Sequence, residues 1–176
     1  MKIYCAFLRG VNIGGKTMKM AEACDALKAS GLAGVSSVLA TGNLIFRSDK
    51  PQGELRGFLE RTLSEHYNDC VNLFVKNADE VSALLLSAPF EENADFHIYA
   101  FICEPSFEDV LLNEFNNISP SDGEAAKIGN GLFYWRCRKG ATLDSGFSKI
   151  LGRKSMRDKF TSRNIATIAK VAAKMK

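Results

Sequence analysis

Gly10, Gly15, Lys16 and Thr17 stand in the spacing G-x-x-x-x-G-K-[ST], directly after the apolar run KIYCAFL. In a phosphate-binding loop this spacing has a mechanism. Backbone N–H groups wrap the phosphates, the lysine reaches the β and γ phosphates, and the hydroxyl ligates Mg²⁺. The helix must then begin at the Gly-Lys step, so that its positive end faces the anion. Here the helical spacing of apolar residues starts only at Met20, which leaves Lys16, Thr17 and Met18 as loop. A tight hairpin pattern follows the first helix and demands antiparallel pairing, whereas proteins built on this loop use mostly parallel sheets. Glu104 is the one candidate for the acidic Mg²⁺ partner. The match is read as accidental, and no cofactor is expected.

Three glycines in the six residues from Gly10 to Gly15 still need a reason, because glycine is costly unless positive φ or close backbone approach is required. One reading is a bulged strand end. The other is a nest of N–H groups aimed at an anion, helped by Arg9 and Lys16. In a split βαβ unit the end of the first strand meets the start of the third. Arg9, Asn12, Gly14, Gly15 and Lys16 then lie beside Thr41, Gly42 and Asn43, with the start of the fourth strand, near Asn68 to Cys70, on the same rim. Polar, glycine-rich segments converging at a strand end form a candidate ligand site.

A second candidate lies in the basic stretch KILGRKSMRDKFTSRN. Free N–H groups at the start of a last helix from about Arg163, together with Thr161, Arg163 and Asn164, would suit an anion. Tyr134 and Trp135 are adjacent on a strand, so alternation sends one inward and one outward, with Arg136 and Arg138 continuing the strand. An outward aromatic among arginines suits single-stranded nucleic acid, although a solvated basic face is the commoner use of such charge. His66 and His97 have no neighbouring nucleophile or carboxylate in a catalytic arrangement and are read as structural or surface residues. No metal-ligand spacing and no catalytic carboxylate pair stand out.

Charge is unevenly spread. Residues 136–176 hold twelve Lys and Arg against two acids, a net +10, while residues 1–135 hold eleven against eighteen, a net −7. Such asymmetry either attracts anionic partners or draws the two ends of the chain together. Five cysteines in an odd count, three of them in apolar runs, suit reduced thiols and a cytoplasmic location. The apolar run after Lys2 is too short for a secretory signal, and no segment reaches membrane-spanning length.

The elements that must position these residues follow from periodicity. Ile3 to Leu8 is the first strand. Met20, Ala23, Cys24 and Leu27 repeat at i, i+3, i+4, i+7 and predict a helix ending at Gly31. VSSVLATGNLIFRS predicts a hairpin with a two-residue turn at Gly42-Asn43 or Thr41-Gly42. A helix from Pro51, striped by Leu55, Phe58, Leu59, Leu63 and Tyr67, leads to the strand VNLFV. Asn77 and Glu80 form a capping box for the next helix. The order then repeats: strand FHIYAFIC, a helix opening at a Ser106/Asp109 capping box, a hairpin turning at Asn130-Gly131, the helix TLDSGFSKIL, a short strand at KFTS and a last helix. The fold class is α+β, with duplicated split βαβ (ferredoxin-like) halves at 1–89 and 90–176, mainly antiparallel sheets and helices packed on them.

FLRGVNIGGK, MAE, TGNLIF and TSRN together resemble the bacterial domain-of-unknown-function 1697 family over nearly the whole chain. The resemblance implies a duplicated α/β protein and carries no agreed activity. Relatives in that family usually read Ser-Gly-Asn where this chain has Thr41-Gly42-Asn43, which keeps the hydroxyl. They usually have Trp where this chain has Ile165, so a site stacking on that ring would be weakened, and often Asn in place of Thr17. The function expected is binding of a phosphate-bearing ligand, a nucleotide or single-stranded nucleic acid. The alternatives are an enzyme on a small phosphorylated metabolite and a protein–protein assembly factor.

Overall fold

The i, i+3, i+4, i+7 spacing of Met20, Ala23, Cys24 and Leu27 becomes helix α1 (Met20–Ala29), and these four are its buried residues. Gly31 follows at φ +93°, where a residue without Cβ ends a helix at least cost. This computed structural model describes residues 1–13 and 16–176, with residues 12, 13, 16 and 17 described for their backbone. The chain packs as two units, residues 1–82 with 170–176, and residues 83–169.

In the first unit β1 (Lys2–Leu8) leads through two short strands, β2 (Asn12–Ile13) and β3 (Lys16–Thr17), into α1. Then come β4 (Ala33–Ser37), β5 (Asn43–Ser48), α2 (Gln52–Tyr67) and β6 (Leu73–Asn77). The sheet order is β4-β5-β1-β6 and its pairs are antiparallel. Tyr4, Ala6 and Leu8 on one face of β1 join Leu27 of α1 and Leu55, Leu59 and Leu63 of α2 in one apolar core. Each fully buried leucine there contributes about 1.5–3 kcal/mol relative to exposure. Phe58 and Tyr67 pack partly buried against the same core, completing the expected stripe. Helix α3 (Ala78–Leu86) opens with a reciprocal capping box: Glu80 N donates to Asn77 Oδ1 and Asn77 N to Glu80 Oε2, each at 2.9 Å. Lys76 Nζ and Gln52 Nε2 also bond that carboxylate, at 2.8 and 2.6 Å, and together with the cap they hold its pKa below the usual carboxylate value against the opposing effect of burial.

The second unit runs β7 (Phe96–Cys103), α4 (Phe107–Asn116), β8 (Ala125–Gly129), β9 (Leu132–Arg138), α5 (Gly146–Leu151), a 3₁₀ turn (Lys154–Met156), β10 (Phe160–Asn164) and the start of α6 (Ile165–Lys174). Its sheet order is β10-β7-β9-β8, again antiparallel. Numbered within each unit, both sheets read fourth, first, third, second, the order a split βαβ half requires. The β8–β9 hairpin turns at Asn130 and Gly131, with φ of +49° and +74°, as a type I′ turn demands. Its core is aromatic: Phe101 meets Phe133 edge-on at 5.0 Å, and Phe115 meets Phe147 at 5.2 Å.

Four local expectations differ from what forms. The β4–β5 connection is not a two-residue turn. It spans residues 38–42, with Leu39 at φ +59° and Gly42 at +79°, and Asn43 is the first residue of β5. Ser106 makes no side-chain cap, because its own backbone sits at φ +64° rather than in the extended region an N-cap needs. The last helix begins at Ile165, so Arg163 and Asn164 lie on β10. Tyr134 and Trp135 do point to opposite faces, yet both are buried, because both faces of β9 are covered at that position. Among the described residues, no helix is long and apolar enough to cross a membrane.

Candidate functional site

At the end of β1 three segments are tied together by the backbone. Leu8 N donates to Gly42 O at 2.7 Å, and Arg9 N donates to Asn72 O at 2.9 Å. The chain then turns at Gly10, φ +68°, and makes a small antiparallel excursion in which Asn12 pairs with Thr17 and Ile13 with Lys16. Met18 N closes it by donating to Val11 O at 3.0 Å. The first-strand end and the segment from Thr41 to Asn43 therefore do meet. The fourth-strand contribution comes from Asn72, two residues beyond the expected 68–70. Gly14 and Gly15 lie outside the described residues, as do the side chains of Asn12 and Lys16.

Gly42 is required by space as well as by φ. A Cβ there would lie 2.6 Å from Val11 Cγ1 and 2.9 Å from Leu8 Cβ. Asn43 is fully buried, and its Nδ2 donates to Val38 O at 2.8 Å and to Thr41 Oγ1 at 3.0 Å. Val38 N returns the contact by donating to Asn43 O at 2.9 Å. One amide side chain thus pins both ends of the 38–42 loop. Thr41 and Asn43, expected as ligand contacts, hold the loop that presents Gly42 to Leu8 and Val11.

The geometry at Lys16 differs from a phosphate-binding loop. Lys16 and Thr17 form β3, and α1 starts three residues later at Met20, with Lys19 as its N-cap. The helix end that would face a triphosphate is therefore displaced from the lysine.

In the second unit Thr161, Arg163 and Asn164 stand together on β10. Arg163 is buried, and its Nη1 donates to Thr161 Oγ1 and to Ser162 O, both at 2.8 Å. Asn164 Oδ1 accepts from Ala166 N at 2.9 Å, and its Nδ2 lies 3.0 Å from His97 Nδ1. The opening turn of α6, which the sequence suggested for an anion, already receives a protein acceptor. Trp135 Nε1 donates to Glu124 Oε1 at 3.0 Å, while Ser121 N donates to Glu124 Oε2 at 2.9 Å, so this buried carboxylate is satisfied. Tyr134 donates its hydroxyl to Leu84 O at 3.0 Å, and burial pushes its pKa up to about 12. None of the five cysteines is in a disulfide, and burial raises the pKa of Cys24 and Cys137. Among the described residues, no group of three or more His, Cys, Asp and Glu is placed to hold a metal ion.

These features define an α+β protein of two split βαβ halves, with a glycine-rich excursion leaving the end of the first strand. The chain belongs to the family described as protein of unknown function (DUF1697), whose sequence profile matches residues 1–134. It is similar in structure to a conserved bacterial protein from Streptococcus pneumoniae, with a TM-score of 0.79 and 24% identity over 99% of each chain. At that identity the likeness speaks for the fold. No curated protein matches the chain.

Proposed function

We propose that the protein is a cytoplasmic, duplicated ferredoxin-like protein that binds a phosphate-bearing ligand, a nucleotide or a nucleic-acid strand, at the rim of the first unit. The observation that carries this is the convergence at the end of β1, where Leu8 N bonds Gly42 O and Arg9 N bonds Asn72 O. The convergence brings Leu8 and Val11, on either side of Gly10, against a loop whose own glycine admits no Cβ. Close-packed glycine backbone at a strand end lets N–H groups approach an anion without side-chain interference. Arg9 and Lys16 supply positive charge in that segment, Asn12 a further polar contact, and Gly14 and Gly15 backbone access. Thr41 and Asn43 fix the neighbouring loop. Arg163, flanked on β10 by Thr161 and Asn164, adds to the net +10 of its stretch of sequence, which draws anions toward the chain. The reading needs no Mg²⁺ ligand at Thr17.

Isothermal titration calorimetry with AMP, ATP, oligo(dT) and oligo(U), at about 50 and 200 mM salt, tests the proposal. Affinity should fall with salt. Arg9→Ala and Lys16→Ala should each weaken binding by about tenfold or more, the scale of one lost charge-assisted hydrogen bond. Heat signals absent at low salt for all four ligands, or affinities unmoved by both substitutions, overturn it.

A further inference from the structure

Away from that rim, the surface of the second unit carries an open pocket of about 300 Å³ lined by Phe90, Glu91, Glu92, Phe96, Lys127 and Arg136, among others. The guanidinium carbon of Arg136 stands 5.1 Å from the ring centroids of both Phe90 and Phe96. Its Nε donates to Gly123 O at 3.1 Å. A guanidinium has five N–H donors in a fixed fork, and the four on Nη1 and Nη2 meet no acceptor among the described residues. Lys127 Nζ lies over the Phe90 ring, 5.2 Å from its centroid. Among the described residues, neither cation forms an ion pair. Arg138, two residues along β9, shows the ordinary alternative. It lies 5.3 Å from the Phe96 centroid and pairs with exposed Asp122 at 3.1 Å.

The pocket therefore gathers two cations and two carboxylates that do not neutralise one another. The rings orient Arg136, the bond to Gly123 O fixes one edge of its fork, and the remaining edge matches a two-oxygen anion. Glu91 and Glu92 oppose a polyanion entering the same space and favour a ligand that also carries a positive group. The lining is neutral in sum, and its volume is at the small end of ligand sites. We infer that this pocket binds a small zwitterion, an α-amino acid or a short peptide. The ligand's carboxylate rests on the Arg136 fork and the Lys127 ammonium, and its ammonium on Glu91 and Glu92. The inference is independent of the proposed phosphate site, since it concerns other residues and a different ligand class.

The test is an NMR titration of the ¹⁵N-labelled full chain with each of the common amino acids and with glycylglycine, to about 10 mM, which reaches affinities in the millimolar range. The N-acetyl and C-amide derivatives of the best binder follow, with inorganic phosphate and AMP as separate arms. Shifts should fall on backbone amides at 90–96, 123–127 and 136. Each blocked derivative should bind at least about tenfold more weakly, since each lacks one charge. Arg136→Lys, which keeps the charge without the fork, should weaken binding, as should Glu91→Gln combined with Glu92→Gln. Lys127→Ala alters an exposed side chain and gives the same reading should Arg136→Lys disturb the fold. The inference is overturned when no amino acid or glycylglycine moves those amides, when the blocked derivatives bind equally well, or when phosphate or AMP occupies the pocket in preference.

Discussion

Replacing Asn43 by alanine separates a ligand-binding role from a structural one. Its side-chain amide is fully buried and donates to Val38 O and to Thr41 Oγ1, at 2.8 and 3.0 Å. Truncation leaves the carbonyl of the buried Val38 without this donor, and an unsatisfied buried acceptor costs about 1–3 kcal/mol. The bond to the part-exposed Thr41 hydroxyl adds about 0.5–1.5 kcal/mol. The total is about 2–4 kcal/mol. With the 176 residues melting together each kcal/mol moves Tm by about 2–4 °C, so Asn43→Ala should melt about 4–16 °C lower. Asn43→Asp should be at least as damaging, because it sets a carboxylate oxygen against Val38 O. Thr41→Val removes only the weaker bond and should cost about 1 kcal/mol. Thermal denaturation followed by far-UV circular dichroism measures all three. A melt of Asn43→Ala within about 1 °C of the unaltered protein, together with lost nucleotide binding, would refute the loop-pinning argument and return Asn43 to the role of a ligand contact.

Two further changes test the fold at other places. Gly57 lies inside α2 with nothing within 4 Å of the position its Cβ would take, so Gly57→Ala should stabilise by about 0.5–1 kcal/mol, read as a raised Tm. Tyr134 has its pKa raised by burial to about 12, above the ordinary tyrosine value of about 10. The neutral phenol is thus favoured in the fold, its contribution is full below about pH 10, and it is lost as pH rises toward 12, where the unfolded chain ionises first. Tyr134→Phe should be less stable at neutral pH, by about 1–2 kcal/mol for the bond to Leu84 O, and should lose less stability than the unaltered protein between pH 10 and 12 in urea melts.

Where a residue's structural effect depends on its own neighbours in sequence, it was readable beforehand. The period of Met20, Ala23, Cys24 and Leu27 predicted a helix face, and all four are buried. Asn77 and Glu80 needed only three residues of separation to cap each other, and Asn130-Gly131 only its tolerance of positive φ. The meeting of the first-strand end with Gly42 was also legible, because one strand order fixes it. The longer β4–β5 loop was not. Val38 and Leu39 look like strand residues, and the left-handed turn at Leu39 is sustained by Asn43, five residues beyond Val38. Ser106 had the spacing of a cap, but its backbone conformation is not encoded in that spacing. The Arg136 cluster stayed hidden because Phe90 and Phe96, and Gly123 and Lys127, come from two stretches that meet β9 only once the sheet forms, and no local pattern joins them.

The environment of Trp135 gives the protein a built-in reporter. It is the chain's one tryptophan, 3% exposed, stacked on Tyr99 with centroids 5.5 Å apart and bonded through its indole N–H to Glu124. Its intrinsic fluorescence therefore follows the interior of the second unit, and a red shift marks water reaching that aromatic core. The first unit holds no indole, so its loosening leaves this emission silent while the backbone signal changes. Comparing the two signals during denaturation shows directly whether the halves melt in concert or in sequence.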